Sequence, residues 1–266
     1  LEHKWQQFTE EEILALGPLL KKRHISLNET QPHISGERFL MSGRKVVLLG
    51  IDTQSQTNVI IKSSTDPASK KELRHEQETR EALQTIAFAY HELLTPSELW
   101  SDVDGERLTI ITECIEQPVP FLSLPIKKQF DLLLDAFHMM EGVHATTPSH
   151  QSAVKKFGNK TTADYLALAE SFYATIIETN LNLSEGEGEL LHKVRETIAE
   201  NATNIERYCG FLTHDDFALH NFRFKDDAIY LIDQASLTFG NKHESWARIL
   251  NYMSLYNPPL TQAFEK

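Results

Sequence analysis

The segment from 211 to 236 is the part of the sequence richest in groups that could do chemistry. Carboxylates, an amide and histidines stand there among apolar residues that are typical of buried strands. His214 and Asp216 come first, and Asn221 follows Asp216 by five positions. The alternation after Asn221 predicts a β-hairpin, and the apolar face of its second strand leads to Asp233. The pattern therefore predicts a carboxylate at the end of a buried strand.

Placing a carboxylate at such a position costs several kcal/mol unless a cation or strong donors compensate for the lost water. Asp216 and Asn221 on the preceding loop add further oxygen ligands, and oxygen ligands favour Mg²⁺. In this interpretation Asn221 and Asp233 hold Mg²⁺ against nucleotide phosphates, while Asp216 orients and deprotonates an acceptor hydroxyl. The alternative is a salt-bridged loop that binds no metal.

Several common enzyme signatures are missing from the sequence. The 11 glycines in 266 residues form no GxGxxG pattern, and the GK[ST], GxSxG and HExxH motifs are also absent. Their absence argues against P-loop nucleotidases, hydrolases with a nucleophile elbow and the HExxH zinc proteases. The 12 histidines raise the question of zinc, but His214 and His220 have only carboxylates near them at ligand spacing. Zinc is therefore disfavoured.

The motif HxDxxxxN, here His214, Asp216 and Asn221, followed by the strand-end Asp233, resembles the aminoglycoside phosphotransferase and choline kinase family of protein-kinase-like small-molecule kinases. The resemblance implies that Asp216 is the catalytic base and that Asn221 and Asp233 are Mg²⁺ ligands. It implies ATP as the phosphate donor, and it gives His214 a structural role in supporting the catalytic loop. The resemblance extends over residues 30 to 255, but its specific content is concentrated in the segment from 211 to 236.

The residues around the motif depart from the family. Members often read HGDLHPGN, whereas this chain reads HDDFALHN, with Asp215 and His220 at glycine positions. Ser245 stands where the family has an aspartate that braces the catalytic loop, and the neighbouring Glu244 is a candidate substitute. These changes leave the three chemical positions intact, but they alter the flanks that shape the acceptor site.

The resemblance also requires a lysine on the third strand and a glutamate on the following helix. Strand alternation in NVIIK puts Ile60 and Lys62 on one face, so Ile60 is expected to line the adenine and Lys62 to reach the α- and β-phosphates. Glu76 shares the apolar face of the following helix, which makes it the expected partner of Lys62. Backbone groups of Glu113 and Ile115, in the hinge, are expected to contact the adenine edge.

The periodicity along the chain predicts an α+β protein in which a small antiparallel sheet lobe precedes a larger helical lobe. The resemblance implies that this two-lobed fold is protein-kinase-like. The expected nucleotide-binding lobe is 1–112, the hinge 113–118 and the helical lobe 119–266, which carries the catalytic loop and the metal-binding hairpin. A capping-box pattern predicts a first helix over about 10–22, acting as a lid or brace. Further elements are predicted as follows: strands at 37–41, 45–52, 57–63, 92–100 and 107–115, and helices at 71–86, 127–145, 162–179 and 190–208.

Charge and composition narrow the expected partners. The net charge is −12, which disfavours nucleic acid as a partner. The acidic stretch 185–189 and the Asp215-Asp216 pair suggest a small hydroxyl acceptor of cationic type, such as an aminoglycoside or a choline-like amine, with sugars and other alcohols left open. The apolar runs are too short to span a membrane. Cys114 and Cys209 form no disulfide framework, which is typical of a reducing compartment and hence of the cytoplasm.

Two other functions fit parts of the pattern. The altered flanks of the catalytic loop would suit a nucleotide-binding pseudokinase or a partner-binding module, although the intact Asp216 argues against both. A protein kinase acting on serine or threonine is disfavoured, because no APE segment follows Asp233 and the DFG position reads DQA.

Overall fold

The computed structural model describes residues 2–29, 31, 44–88, 93–117, 119–146, 157–178, 185–226 and 228–264. The predicted strand at 37–41 lies outside these residues, as do Pro118 of the expected hinge and Asp227 of the hairpin turn. The helices are α1 (Glu2–Lys22), α2 (Pro67–Leu83), α3 (Ile126–Thr146), α4 (Thr162–Glu178), α5 (Glu185–Glu200), α6 (Ala202–Arg207), α7 (Glu244–Tyr256) and α8 (Pro258–Phe264). The strands are β1 (Ile25–Leu27), β2 (Val46–Asp52), β3 (Thr57–Ser64), β4 (Glu98–Asp104), β5 (Arg107–Glu113), β6 (Phe211–His214), β7 (Phe222–Lys225), β8 (Ala228–Leu231) and β9 (Leu237–Gly240).

The chain forms two compact units. Unit 1 consists of Leu1–Arg80, Leu94–Pro118 and Phe222–Ala235, and unit 2 of Glu81–Leu93, Val119–Asn221 and Ser236–Lys266. Each unit therefore consists of three separate segments of the chain, and no single hinge position divides the sequence into the two units. Unit 1 includes the hairpin of β7 and β8, which the sequence assigns to the helical lobe.

Unit 1 is built on a five-stranded antiparallel sheet with the order β1-β2-β3-β5-β4. The short strand β1, which the sequence pattern did not predict, pairs with the end of β2. The turn between β4 and β5 contains Gly105 at a φ of 58°, a left-handed conformation that glycine adopts without steric cost. The hairpin of β7 and β8 is a separate two-stranded sheet within the same unit.

The two faces of the large sheet are covered by different helices. Buried leucines of α1, Leu16 and Leu20, pack with Val59 and Ile61 of β3 on one face. On β5, Leu108 and Ile110 pack instead against α2 through a buried leucine. Since side chains alternate along a strand, the face of β3 opposite α1 carries the residues at even positions, including Lys62. The first helix is thus part of the core of unit 1.

Unit 2 is mainly helical. Its core contains the buried face of α3, which includes Leu133 and Met140, together with Ile249 and Met253 of α7. Aromatic contacts join three helices, because Phe137 stacks on a tryptophan of α7 and contacts a phenylalanine of α8. Strands β6 and β9 form an antiparallel pair whose residues are almost all buried. The loop that follows β6 therefore leaves from a buried strand pair.

Two features differ from the expectations, and one apolar helix face is exposed. Helix α1 begins at Glu2, because Thr9 and Glu12 are buried helical residues and do not form an N-terminal cap. Instead, the carboxylate of Glu12 pairs with Arg107 of β5 and fastens the helix to the sheet. Helix α5 begins at Glu185, so the acidic stretch is its first turn, where negative charge interacts favourably with the helix dipole. The apolar stripe of α4 is largely exposed, with Phe172 60% accessible.

Among the described residues, no helix has an apolar stretch long enough to cross a bilayer.

Candidate active site

The lysine of β3 and the glutamate of α2 meet in unit 1. Lys62 Nζ lies 2.5 Å from Glu76 Oε1, and the Glu76 side chain is only 2% exposed. Lys62 is held on its face of the sheet by β2 and β5, which pair with β3 on either side at Val47 and Ile110. Ile60 lies on the same face and is half-buried. The two residues that the sequence assigned to nucleotide contact therefore share one surface of the sheet.

Glu76 has a second basic partner that the sequence reasoning missed. Arg80, one helical turn further along α2, places Nη2 3.0 Å from Glu76 Oε1 and Nη1 2.7 Å from Glu98 Oε2 of β4. The same Nη2 lies 3.3 Å from Gln234 Oε1. Arg80 is 4% exposed, so its charge is balanced inside the protein by two carboxylates. The i, i+4 spacing from Glu76 to Arg80 was the sequence signal for this pair.

The expected hinge leaves the sheet at the end of β5. The Glu113 N–H donates to the carbonyl of Ser97 and the Cys114 N–H to the carbonyl of Asn58. Ile115, buried to 5% exposure, follows the last of these sheet bonds. Burial raises the pKa of the Cys114 thiol, so this cysteine is neutral at physiological pH. The adenine contacts expected here would therefore come from the Glu113 carbonyl and from the backbone of Ile115.

The alternation predicted that Asp233 ends a buried strand, but it lies beyond the strand. Strand β8 ends at Leu231, and Asp233 is half-buried two residues later with a φ of 67°. This left-handed conformation is uncommon for residues other than glycine, although aspartate and asparagine tolerate it better than most. It is followed by a short 3₁₀ turn, Gln234–Ser236, whose glutamine is buried and bonded to Arg80. The position of Asp233 is thus set by a turn and by the buried arginine.

The catalytic loop after β6 surrounds Asp216 with donors in unit 2. Arg248 of α7 places Nε 3.0 Å and Nη2 2.6 Å from Asp216 Oδ1. Asn221 Nδ2 donates to Asp216 Oδ2 at 3.0 Å, and His220 Nε2 lies 3.1 Å from the same oxygen. The contacts with His220 and Arg248 hold the pKa of Asp216 well below its usual range. The carboxylate form of Asp216 is therefore favoured at neutral pH.

Ser245 braces the loop at the position where the family has an aspartate. Its Oγ accepts a hydrogen bond from the His214 N–H at 3.0 Å and lies 2.5 Å from the hydroxyl of Thr213. Ser245 and His214 are completely buried. The His214 ring also contacts the buried Phe217 edge-on, with the ring centroids 6.5 Å apart. The serine hydroxyl thus fixes the end of β6 directly before the catalytic loop.

Asp215, beside the proposed base, also has a basic partner. Lys160 Nζ lies 2.6 Å from Asp215 Oδ2 and 3.0 Å from Glu244 Oε1. Burial raises the pKa of Asp215, and the hydrogen bond from Lys160 opposes that shift. Glu244 accepts a further hydrogen bond from Tyr165 at 2.5 Å. It therefore supports the Lys160 contact, while Ser245 supports the loop.

The residues expected to hold Mg²⁺ have suitable donor chemistry. The Asn221 amide nitrogen donates to both the backbone carbonyl and the side chain of Asp216, so the orientation of the amide is fixed and its oxygen is the atom available to a cation. Asp233 supplies a carboxylate. Among the described residues, no three histidine, cysteine or acidic side chains form a preformed metal cage. Mg²⁺ is commonly held by one or two protein ligands together with substrate phosphates and water.

Comparison with solved structures identifies the fold. Aminoglycoside phosphotransferase APH(2'')-Ib, solved with ADP, is 16% identical at a TM-score of 0.58, covering 93% of this chain and 83% of that one. Aminoglycoside phosphotransferase APH(4)-Ia, solved with ADP and hygromycin B, is 14% identical at a TM-score of 0.63, covering 92% and 78%. Amicoumacin kinase, solved with AMP-PNP and Ca²⁺, is 14% identical at a TM-score of 0.58, covering 97% and 73%. Neither a protein-family model nor a curated protein sequence matches the chain. The similarity therefore rests on structure.

Proposed function

This chain has the protein-kinase-like fold of the aminoglycoside phosphotransferases, and we propose that it is an ATP- and Mg²⁺-dependent phosphotransferase that acts on a hydroxyl of a small molecule. The fold alone does not determine chemistry, so the proposal depends on the residues of the site. Solved neighbours with this fold are described as kinases of aminoglycosides and of amicoumacin, and several hold adenine nucleotides. The two free cysteines are consistent with a cytoplasmic location.

The observation that carries the proposal is the Lys62–Glu76 ion pair, in which Lys62 Nζ lies 2.5 Å from Glu76 Oε1. A strand lysine that is held by a buried helix glutamate is the arrangement that protein kinases use to bind the α- and β-phosphates. The pair keeps the ammonium in place, so little conformational entropy is lost when a phosphate binds. Ile60, on the same face, would line the adenine, together with backbone groups of Glu113 and Ile115.

The proposed reaction uses the chain's residues as follows. Asp216 accepts the proton of the acceptor hydroxyl as the hydroxyl oxygen attacks the γ-phosphorus. A bond forms between that oxygen and phosphorus, the bond from phosphorus to the β,γ-bridging oxygen breaks, and ADP leaves with the bond's electrons. When bound, Mg²⁺ would neutralise charge on the phosphate oxygens. Asn221 and Asp233 would hold it, and Lys62 would neutralise further phosphate charge.

The acceptor is proposed only as a small hydroxyl compound. The sequence favoured a cationic acceptor because of the acidic stretch 185–189 and the Asp215-Asp216 pair. Some structural neighbours were solved with aminoglycosides, as their descriptions state. In this chain, however, Asp215 is paired with Lys160 and Asp216 with Arg248. That pairing weakens the argument from the acidic pair.

The test is ATP consumption, measured as ADP release with Mg²⁺ present, against a panel of sugars, amino alcohols, aminoglycosides and hydroxy acids. The proposal predicts that at least one acceptor stimulates ADP release and that Asp216→Asn abolishes the stimulation. Glu206→Gln, which removes an acid on a different helix of unit 2, is the matched control. If wild type and Asp216→Asn release ADP equally with every acceptor, the proposed mechanism is wrong.

A nucleotide-binding module without turnover is the second candidate, favoured by the hydrogen bonds that surround Asp216. Such a protein would bind Mg-ATP and yet show no acceptor-stimulated ADP release that depends on Asp216. The same assay, combined with a direct measurement of nucleotide binding, distinguishes the two functions.

A further inference from the structure

The carboxylate of Asp216 has four donors within 3.1 Å, two on each oxygen. An ionised carboxylate offers about four lone-pair directions. An acceptor hydroxyl must give its proton to one of these oxygens, so one of the present contacts has to yield before phosphate transfer. The identity of the contact that yields indicates what kind of acceptor the site was built for.

Arg248 is the contact whose departure frees a whole carboxylate oxygen, because it supplies both donors on Asp216 Oδ1. The His220 side chain is more exposed, at 50%, but Oδ2 would keep the Asn221 donor if His220 turned away. Asn221 is buried, and its side-chain amide donates to both the backbone carbonyl and the carboxylate of Asp216, so the loop itself holds it in place. The Arg248 side chain is 41% exposed, and it reaches Asp216 from a separate helix. A long, partly exposed arginine can turn away at little cost, provided that its charge finds another partner.

The surroundings of Arg248 show what that partner would be. Tyr252 and Tyr256 follow at four-residue intervals on α7, with their ring centroids 4.8 Å apart, and residues at this spacing share a helix face. The acids beside Arg248 on the loop and the helix, Asp215 and Glu244, are both held by Lys160. The acceptor itself can then supply the partner for a displaced guanidinium, and a planar guanidinium matches a carboxylate or phosphate.

We propose that Arg248 binds the acceptor, and that the acceptor is a hydroxyl compound carrying an anionic group, a carboxylate or a phosphate, next to the hydroxyl that is phosphorylated. The anionic group takes the guanidinium from Asp216, which leaves Asp216 Oδ1 for the hydroxyl proton. The tyrosines of α7 offer an aromatic surface to the body of the acceptor. A cationic acceptor would meet the guanidinium at the base and would be repelled. This inference rests on the proposed function and deepens it.

The test measures ligand binding by thermal shift with saturating Mg-AMP-PNP, so that anions cannot report on the phosphate site. The probes are glycerate as a hydroxy carboxylate, glycerol 3-phosphate as a phosphate ester and choline as a cation. The proteins are wild type, Arg248→Gln and, as the matched control, Arg195→Gln, which removes another partly exposed arginine that pairs with a glutamate in unit 2.

The proposal predicts that glycerate or glycerol 3-phosphate binds wild type and Arg195→Gln alike, and that its Kd is at least tenfold higher for Arg248→Gln. The probe that responds identifies the anionic group as carboxylate or phosphate. The proposal is overturned if neither anion stabilises wild type, if both variants bind the anions equally well, or if choline binds wild type more tightly than either anion.

The nucleotide itself separates this proposal from the proposed function. Mg-AMP-PNP is first titrated alone into the three proteins. If it stabilises all of them while the anions fail, the assignment of the acceptor class is wrong and the kinase function stands. If it stabilises none of them, the proposed function fails, and anion binding without nucleotide still decides whether Arg248 is an anion site.

Discussion

Arg80 and Gln234 are in contact, with Nη2 of the arginine 3.3 Å from Oε1 of the glutamine. The same guanidinium contacts Glu76, the partner of Lys62. Gln234 directly follows Asp233, the proposed Mg²⁺ ligand. A buried arginine therefore connects Glu76, the partner of Lys62, with the turn that follows Asp233. Movement of Glu76 is therefore expected to disturb the turn at Asp233, and movement of that turn is expected to disturb Glu76.

Replacing Arg80 with leucine should reduce stability strongly. The substitution leaves the nearly buried carboxylate of Glu76 with Lys62 alone and removes a partner from Glu98, and breaking a buried ion pair on one side typically costs about 3 kcal/mol. We expect a loss of about that size in urea unfolding. Arg74→Leu, an exposed arginine on the same helix, should change stability by less than about 0.5 kcal/mol. Equal effects of the two substitutions would refute the structural role of Arg80.

Replacing Lys62 with methionine should weaken ATP binding. A hydrogen bond to a charged group is worth about 1.5–3 kcal/mol, so the Kd for Mg-ATP should rise by about tenfold to a hundredfold. Isothermal titration measures this directly. Lys45→Met is the matched control, because Lys45 also forms an ion pair with a glutamate of α2, Glu72. An unchanged Kd in Lys62→Met, or the same change in Lys45→Met, would refute a phosphate contact at Lys62.

The sequence predicted the large features of the fold because periodicity is strong there. Strands β2, β3 and β5 and helices α2 and α3 lie close to their predicted positions, since each has a clear apolar face. The start of α1 was predicted too late, because Thr9 and Glu12 match a capping box whether they cap a helix or point into a core. Helix α4 was predicted from its apolar residues, of which Leu168 and Phe172 are exposed.

Within the site, local spacing indicated which chemical groups are present but not which partners surround them. The resemblance implied a lysine–glutamate pair, and strand and helix periods selected Lys62 and Glu76 for it. The arginine on Asp216 comes from α7, 32 residues further along the chain, and no local pattern links the two. The same is true of Lys160, which reaches Asp215 from a distant segment. Such pairs depend on tertiary packing.

Replacing Ser245 with alanine should loosen the catalytic loop. The buried His214 N–H would lose its acceptor, which typically costs about 1–3 kcal/mol. We expect a stability loss in this range and a lower kcat with a nearly unchanged KM for ATP. Ser254→Ala on the same helix removes a hydroxyl that is bonded only to its own helix backbone, and it should have little effect. Stability and kcat at the wild-type level in Ser245→Ala would show that the hydroxyl does not brace the loop.

Stability should fall in mild acid because of His144 on α3. Burial lowers the pKa of His144 below its ordinary value of 6.5, against the opposing charge of Glu141. The unfolded chain therefore binds a proton that the folded protein resists, and stability is lost as pH falls from 6.5 toward the lowered pKa. Urea unfolding at several pH values should show this slope in wild type and a weaker one in His144→Gln. His192→Gln, at an exposed helix position, is the control. Equal slopes in wild type and His144→Gln would contradict the prediction.

The most direct test of the proposed function is the binding of Mg-ATP, measured as the change in melting temperature of wild type and of Asp233→Asn with and without Mg²⁺. Ligand at a hundred times its Kd stabilises a protein by about 2.7 kcal/mol, which raises the melting temperature of a chain of this size by several degrees. We predict such a rise in wild type, dependent on Mg²⁺ and largely lost in Asp233→Asn. No rise in wild type, or an equal Mg²⁺-dependent rise in the variant, would contradict the proposed nucleotide and metal site.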